Sequence, residues 1–167
     1  EDIEQMADLS PAEQERLTQT GLEVEMKNRS GSFFQVDQEI RQVASREKGI
    51  EVLSIRDALQ KYDWLEEFSW KLVPKDKDKY TKYVADQPDP RGFVIIARKG
   101  SRTVYPLQTC LFLAKTSVQH VHNIIIAEEG AELHLISGCA SASYTKTGSH
   151  IGVSEFYVGK GARITST

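Results

Sequence analysis

The chain has 167 residues, of which 40% are hydrophobic and 27% charged, and its formal net charge is −3. This length and composition predict one folded domain with an appendage and exclude disordered, collagen-like and low-complexity proteins. The weak negative charge gives no basis for non-specific nucleic-acid binding, so we expect no such partner. The two cysteines cannot form a disulfide framework, and no apolar run approaches the roughly 18 residues of a membrane helix. We therefore expect a cytoplasmic protein without a membrane span.

Charge divides the sequence into two regions. Residues 1–92 contain 14 Lys and Arg against 20 Asp and Glu, whereas residues 93–167 contain 7 against 4 and are rich in Val, Ile, Thr and Ser. We therefore predict a helical N-terminal region with a linker over residues 1–91 and a β region over residues 92–167.

Helix signals follow one another through the first region. Ser10 and Glu13 have the spacing of a capping box, and the helix that they begin is predicted to end at Gly21. Ser54 stands before a second helix in the same way, and apolar residues between positions 37 and 49 recur at helical spacing. These signals predict one short helix followed by two or three more helical pieces.

Aromatic and charged residues complete the first region. Trp64, Leu65, Phe68 and Leu72 fit one side of a helix, which we interpret as an ordinary packing surface. Residues 28–32 are predicted to form a loop, and residues 74–79 together with residues 88–90 are predicted to form a solvated linker.

The second region contains a repeat. An apolar strand, a charged residue, a glycine and then Ser or Ala recur around Gly100, Gly130 and Gly161, which stand 30 and 31 residues apart. Alternating residues after each glycine, such as Thr103 and Tyr105, predict a second strand, so each copy reads as strand, glycine turn and strand. Such units are stable when they stack into a solenoid with one continuous core. We expect the opening turns of a parallel β-helix, and a β-sandwich remains the alternative.

The sequence stops inside the third copy and begins without Met. Because an open last turn would present unpaired backbone, we expect a piece of a longer protein or a chain whose last turn a partner completes.

Cys139 is the strongest candidate for chemistry. It lies among Gly, Ser and Ala residues just after a predicted strand, a setting that predicts an accessible thiol. A sulfur nucleophile needs thiolate character, and His150 or Lys146 is expected to supply a cationic environment that lowers the thiol pKa. A buried, inert cysteine is the alternative, and it is the interpretation that we adopt for Cys110, in an apolar strand.

His120 and His122 lie on one face of a predicted strand and are weak candidates for metal ligands. The spacing to Glu128 only approximates the pattern of cupins, and polar positions on the outer face of a sheet are the interpretation that we favour. The sequence has no phosphate-binding loop and no serine nucleophile motif, so a hydrolase is not expected.

Residues 129–139, with Tyr144, His150, Glu155 and residues 158–163, resemble the core of the SufB/SufD family of iron–sulfur cluster assembly proteins. The resemblance covers roughly residues 45–167. It implies a right-handed parallel β-helix that follows a helical N-terminal domain, in a scaffold that is not itself an enzyme.

The resemblance also implies roles and partners. Cys139 matches the SufB cysteine that accepts sulfur from a cysteine desulfurase system, and His150, Glu155 and Lys160 are the supporting candidates. The implied partners are an ABC-type ATPase, SufC, which docks on a C-terminal domain that this sequence lacks, and a second SufB/SufD-like subunit. An iron–sulfur cluster is expected only transiently, in the full-length complex.

Three hypotheses remain open from the sequence. Cys139 favours a sulfur-accepting, SufB-like scaffold. The family usually has an Arg and an Asn where this chain has residues 111–115, and their absence favours a purely structural, SufD-like subunit. A cupin-like metal-binding protein that uses His120 and His122 is the third.

Overall fold

The computed structural model describes residues 3–115, 118–142, 145 and 147–167. The helices are α1 (Pro11–Gln19), α2 (Ile55–Lys61) and α3 (Lys79–Ala85), with 3-10 turns at Met6–Asp8 and Asp63–Phe68. The strands are β1 (Gly31–Val36), β2 (Glu39–Ser45), β3 (Ile50–Ser54), β4 (Phe93–Ala97), β5 (Leu107–Leu113), β6 (Val118–Ala127), β7 (Glu132–Ser141), β8 (Ser149–Val158) and β9 (Arg163–Ser166).

The strands form two sheets. Sheet A has the order β2-β1-β5-β7-β9, and sheet B has the order β3-β4-β6-β8. The pairs β1–β2 and β3–β4 are antiparallel, and the other neighbouring pairs within these sheets are parallel. From β4 to β9, consecutive strands alternate between the two sheets. The fold therefore combines helices with parallel and antiparallel sheets, as the mixed class predicted from the sequence requires.

Three apolar clusters hold the layers together. The first lies between the sheets and joins Phe33 of β1 and Val52 of β3 to Ile95, Ile125 and Leu133 of the later strands. The second packs the N-terminal segment and α1 on the outer face of sheet A, and the third packs α2 and the turn after it on the outer face of sheet B. Central strands are therefore buried on both faces, which explains their nearly continuous apolar sequence.

The glycine repeat is confirmed. Gly100, Gly130 and Gly161 have φ angles of +70°, +69° and +66°, a left-handed conformation that glycine adopts without the steric cost of a side chain. The turns lie against one another, since the N–H of Gly100 donates to the Glu129 carbonyl and the N–H of Gly130 to the Lys160 carbonyl, both at 2.9 Å.

Two predicted helices are confirmed at their caps. At α1, the backbone N–H of Ser10 donates to Glu13 Oε2 at 3.0 Å, and Ser10 Oγ accepts from the N–H of Glu13. At α2, Ser54 Oγ accepts from the N–H of Asp57 at 3.0 Å. Both signals depend on residues three apart, which explains why the sequence reveals them.

The helix expected between residues 37 and 49 is wrong, and the description of residues 1–91 as helical fails with it. Residues 39–45 form β2, which pairs with β1 in an antiparallel hairpin. The hairpin turns at Asp37, whose φ angle is +54°, and the other edge of β1 is paired with β5. The partner strand, far away in sequence, overrides the local helical spacing.

Four further boundaries differ from the sequence predictions. The predicted loop at 28–32 ends early, because Gly31 already belongs to β1. The turn through Leu65 stops at Phe68, and Leu72 lies outside it and is exposed. The supposed linker contains the start of α3, where the Asp78 carboxylate caps the N–H groups of Tyr80 and Thr81. Residues 103–106 are not a strand, since β5 begins only at Leu107.

Strand pairs cross the position of the predicted domain boundary. β1 pairs with β5 and β3 pairs with β4, so residues from both regions contribute to the cluster between the sheets. The boundary near residue 91 stays a prediction.

Candidate functional site

Strand β7 carries Cys139 into a cavity between the sheets. Along β7, Leu133 and Leu135 face the inter-sheet core, and the alternation of the strand places Ser137 and Cys139 on the same side. The cavity has a volume of about 380 Å³. It is lined from sheet A by Thr109, Leu111, Leu135, Ser137, Gly138 and Cys139, and from sheet B by Phe93, Asn123, Ile125, His150, Gly152, Ser154 and Phe156.

Cys139 is exposed within the described part of the chain. The sequence prediction of an accessible thiol is confirmed.

Among the described residues, no cationic group lowers the pKa of the Cys139 thiol. Partial burial raises the pKa of Cys139 above its ordinary value of 9.0, so the group is protonated at neutral pH. Burial also lowers the pKa of His150 below 6.5, which leaves its imidazole neutral. Lys146 and Tyr144 lie outside the described residues. Sulfur chemistry at Cys139 therefore requires a group that takes up the thiol proton.

Polar side chains line the part of the cavity around Cys139. Thr109 Oγ1 donates to Ser137 Oγ at 2.8 Å on sheet A, and Asn123 Nδ2 donates to Ser154 Oγ at 3.2 Å on sheet B. His150 Nδ1 lies 2.9 Å from Gln119 Oε1. These side chains give the cavity hydrogen-bonding groups beside its apolar lining.

Gly138 makes room for a packing contact on the opposite face of β7. A Cβ atom at this position would lie 2.6 Å from Leu22 Cδ1, in the segment that covers the outer face of sheet A. The glycine next to Cys139 therefore allows the N-terminal segment to approach the strand, in addition to leaving the thiol accessible.

Glu155 is not brought together with Cys139. It lies on the outer face of sheet B, where its Oε1 is 2.7 Å from His122 Nε2 and accepts from the N–H of Trp70 at 2.8 Å. Glu155 Oε2 accepts from the N–H groups of Leu72 and Val73 at 2.7 and 3.2 Å. Glu155 therefore anchors the segment that follows the 3-10 turn.

His120 and His122 lie on one face of β6, as predicted, but each ring has a separate partner. The His122 ring stacks on Trp70 with centroids 3.9 Å apart, while His120 Nδ1 lies 3.1 Å from Gln38 Nε2. Among the described residues, no three His, Cys, Asp or Glu side chains are grouped closely enough to hold a metal ion.

Lys160 and Cys110 also lie apart from the site. Lys160 belongs to the turn between β8 and β9 and its carbonyl accepts from Gly130, at the end of the sheets away from Cys139. Cys110 is fully buried in the cluster on the outer face of sheet A, and burial raises its pKa to about 12. The prediction that Cys110 is a core residue is confirmed.

Sequence reasoning missed Gln119. It is fully buried in β6 and is the partner of His150 described above. The sequence did contain a signal for it, because Gln119 belongs to the alternating inward positions of the strand that continue with Val121 and Asn123. Only the two neighbouring histidines were interpreted as candidate site residues.

None of the helices in the described part of the chain has the length and apolar character needed to cross a membrane.

Comparisons with known proteins converge on one family. Residues 111–167 match the family described as "SUF system FeS cluster assembly, SufBD core domain". A protein of Archaeoglobus fulgidus, named iron-sulfur cluster assembly SufBD family protein, is 43% identical over 155 residues, which are 93% of this chain and 42% of the relative. A protein of the same name from Methanothermobacter thermautotrophicus is 41% identical over 171 residues, or 100% of this chain and 42% of the relative.

A relative from Arabidopsis thaliana, whose name describes it as chloroplastic, is 30% identical over 118 residues, or 70% of this chain and 21% of the relative. The chain thus spans well under half the length of the curated relatives that it matches.

Proposed function

Because the chain belongs to the SufBD family of iron–sulfur cluster assembly proteins, we propose that it is part of an assembly scaffold and accepts sulfur at Cys139. The observation that carries this proposal is the position of the thiol, which is exposed, lines a cavity between the sheets and has the neutral imidazole of His150 on the facing sheet.

The proposed step is a transfer of sulfane sulfur. The Cys139 thiol loses its proton, and the thiolate attacks the terminal sulfur of a persulfide on the donor. A new S–S bond forms on Cys139 while the donor S–S bond breaks, and the donor leaves as a thiolate that takes up the proton. The sulfane sulfur changes carrier without any net oxidation or reduction.

The cluster itself is the cargo of the scaffold. An iron–sulfur cluster is usually held by four cysteine thiolates, whereas this chain has two cysteines, one of them buried in the core. We therefore propose that this part of the scaffold handles sulfur and that the cluster is completed with groups from elsewhere in the assembly. In this proposal the chain is not an enzyme by itself.

We further propose that β4 to β9 form the opening turns of a β-helix. The alternation of strands between the sheets, their parallel pairing and the stacked glycine turns all support a coil that repeats every two strands. A donor desulfurase, a second SufB/SufD-like subunit and an ABC-type ATPase are the proposed partners. The free state of both cysteines supports a reducing compartment, for which we propose the cytoplasm.

A structural, SufD-like role is the second candidate. The raised pKa of Cys139 favours it, as do the apolar Leu111 and Leu113 where the family usually has polar residues. In this role the subunit supports a partner that carries the reactive cysteine, and Cys139 has no effect on cluster yield.

Sulfur uptake distinguishes the two roles. The protein is incubated with a persulfide-loaded desulfurase, and intact mass spectrometry measures the gain of one sulfur atom in the wild type, Cys139→Ser and Cys110→Ser. We expect the gain in the wild type and in Cys110→Ser, which controls for the other thiol, but not in Cys139→Ser. Equal gain in Cys139→Ser, or no gain in any of the three, overturns sulfur acceptance at Cys139.

A further inference from the structure

Gln119 is a buried side chain with every polar atom engaged. It is 0% exposed and lies at the start of β6, opposite His150 in the parallel register with β8. Gln119 Nε2 lies 2.7 Å from the Asp37 carbonyl oxygen and 3.3 Å from that of Phe112. The amide therefore reaches across the space between the sheets to the β1–β2 turn and to β5.

These contacts determine the orientation of the amide. A carbonyl oxygen only accepts hydrogen bonds, so the end of the side chain near Asp37 and Phe112 must be the NH₂ group. The oxygen, Oε1, is then the atom that lies 2.9 Å from His150 Nδ1. Because an amide oxygen also only accepts, Nδ1 of His150 must carry a hydrogen.

The hydrogen on Nδ1 leaves the other ring nitrogen bare. Burial lowers the pKa of His150, so the ring is neutral at pH 7 and Nε2 presents a lone pair. No hydrogen bond to Nε2 is recorded within the described part of the chain. His150 and Cys139 line the same cavity from facing sheets.

The surroundings restrict the His150 ring. A Cβ atom on residue 152 would lie 3.0 Å from Nε2, so the glycine at this position makes room for the ring. On the other side, the Asp37 carboxylate accepts from the N–H groups of Ala114 and Lys115 at 2.8 and 3.1 Å, which holds the turn whose carbonyl binds Gln119. The imidazole is thus oriented by a chain of contacts that begins at the β1–β2 turn.

We infer that Gln119 is a positioning residue that fixes His150 as the Nδ1–H tautomer, so that Nε2 accepts the Cys139 proton during sulfur uptake. The inference rests on the proposed function of Cys139. In the step, the proton moves from Sγ to Nε2, and the imidazolium keeps its Nδ1–H bond to Gln119. The thiolate then attacks the persulfide, and the proton returns from Nε2 to the departing donor thiolate.

Gln35 provides a matched control. It is also 0% exposed, and its Nε2 donates to the same Asp37 carbonyl at 2.9 Å, but it makes no recorded contact with His150. Gln35→Leu therefore removes a buried hydrogen bond to the same turn without changing the partner of the imidazole. A purely structural role for Gln119 predicts that both leucine substitutions lower stability and that neither changes the tautomer of His150.

The test measures both the tautomer of His150 and the rate of sulfur uptake. Ring ¹⁵N chemical shifts of His150 are expected to show the Nδ1–H form in the wild type and in Gln35→Leu, and a shift toward the Nε2–H form in Gln119→Leu. Sulfur uptake from a small-molecule persulfide at pH 7 is expected to fall about tenfold in Gln119→Leu, part of the roughly 10²–10⁴ that a positioned base contributes. In Gln35→Leu it should stay within about twofold of the wild-type rate.

Gln119→Glu covers the case in which the leucine variant does not fold. Its protonated carboxyl group still donates to the Asp37 or Phe112 carbonyl oxygen and accepts from Nδ1, so the tautomer and, above the pKa of His150, most of the uptake rate are retained. A charged carboxylate there also raises the pKa of His150, which shifts the pH profile of uptake to higher pH.

The outcomes separate the two proposals. If the wild type takes up no sulfur at Cys139, the proposed function fails, and the ¹⁵N shifts still decide whether Gln119 controls the tautomer. If the wild type takes up sulfur but Gln119→Leu behaves like Gln35→Leu, or if wild-type His150 is the Nε2–H form, the inference about Gln119 is overturned while the function of Cys139 stands.

Discussion

Cys110 and Cys139 lie on neighbouring strands but face opposite sides of sheet A. In the register of β5 and β7, Cys110 is opposite Gly138 and Cys139 is opposite Leu111. Because successive residues of a strand alternate between faces, a shift of one position sends one thiol into the outer apolar cluster and the other into the inter-sheet cavity. The chemical difference between the cysteines is therefore a consequence of register.

The two thiols should differ strongly in alkylation. In the folded protein, iodoacetamide is expected to modify Cys139 and not Cys110, which should react only after unfolding. Because the pKa of Cys139 is raised above 9.0, its rate should rise about tenfold per pH unit from pH 7 to 9, as the thiolate fraction does. Peptide mass spectrometry measures both sites, and a rate plateau below pH 8 would contradict the raised pKa.

At the level of these residues, the sequence predicts accessibility better than electrostatics. Cys139 is exposed, as its small neighbours indicated. The neutral state of His150 was not predictable, since it depends on burial by strands that lie far apart in the sequence. The pairing of Glu155 with His122 is equally invisible in a linear motif.

Among the structural elements, the segment from Trp70 to Val73 depends on one buried carboxylate. Glu155 accepts hydrogen bonds from three backbone N–H groups of this segment and pairs with His122. Trp70, whose φ angle is +60°, stacks on the His122 ring. The Glu155 contacts offset the backbone strain at Trp70, which is of order 1–3 kcal/mol.

This arrangement predicts a stability that falls in acid. Burial opposes ionisation of Glu155, but the hydrogen bonds from His122 and the three N–H groups outweigh it and lower its pKa below 4.5. Burial lowers the pKa of His122 below 6.5. In both cases the unfolded chain binds the proton more tightly, so stability rises with pH. The free energy of unfolding should be level above pH 7, fall below pH 6.5 and fall further below pH 4.5.

Glu155→Gln tests the contribution of the carboxylate. Urea unfolding at pH 7 should show a loss of about 2 kcal/mol, since hydrogen bonds to a charged group contribute about 1.5–3 kcal/mol. Glu129→Gln, which removes an exposed contact to Lys99, should change the value by less than about 0.5 kcal/mol. The loss in Glu155→Gln should shrink below pH 4, and a difference that is independent of pH would contradict the role of ionised Glu155.

The sequence predicted those elements whose signals are local. The helix caps at Ser10 and Ser54 and the glycine turns are encoded within a few residues. Strand β2 was mistaken for a helix because its identity depends on pairing with β1, which the helical spacing of its apolar residues does not reveal. Helix α3 was mistaken for linker because its flanking charges obscured the capping role of Asp78.

For the whole molecule, the N-terminal strands are part of the central core. Phe33 of β1 is fully buried and its ring lies 5.3 Å from that of Phe93 in β4, measured between centroids. The same cluster contains residues of β3, β5, β6 and β7. The change in composition near residue 91 therefore marks a change in local structure. The hydrophobic core continues across it.

Phe33→Ala should destabilise both regions together. Removal of a buried phenylalanine costs about 3–5 kcal/mol, and because the core is shared, the loss should appear in one cooperative transition. Tryptophan fluorescence reports on residues 64 and 70, and far-ultraviolet circular dichroism reports on the sheets. We expect the two urea transitions to coincide in both the wild type and the variant, and separate midpoints would contradict a shared core.

The pairing of β1 with β5 also has a consequence for synthesis. About 70 residues separate these strands, which at roughly 5–20 residues per second takes about 4 to 14 s on the ribosome. During this interval the nascent hairpin of β1 and β2 has one open edge, and its amide and carbonyl groups are available to other chains. The time that β5 takes to emerge therefore sets how long this edge stays open to other chains.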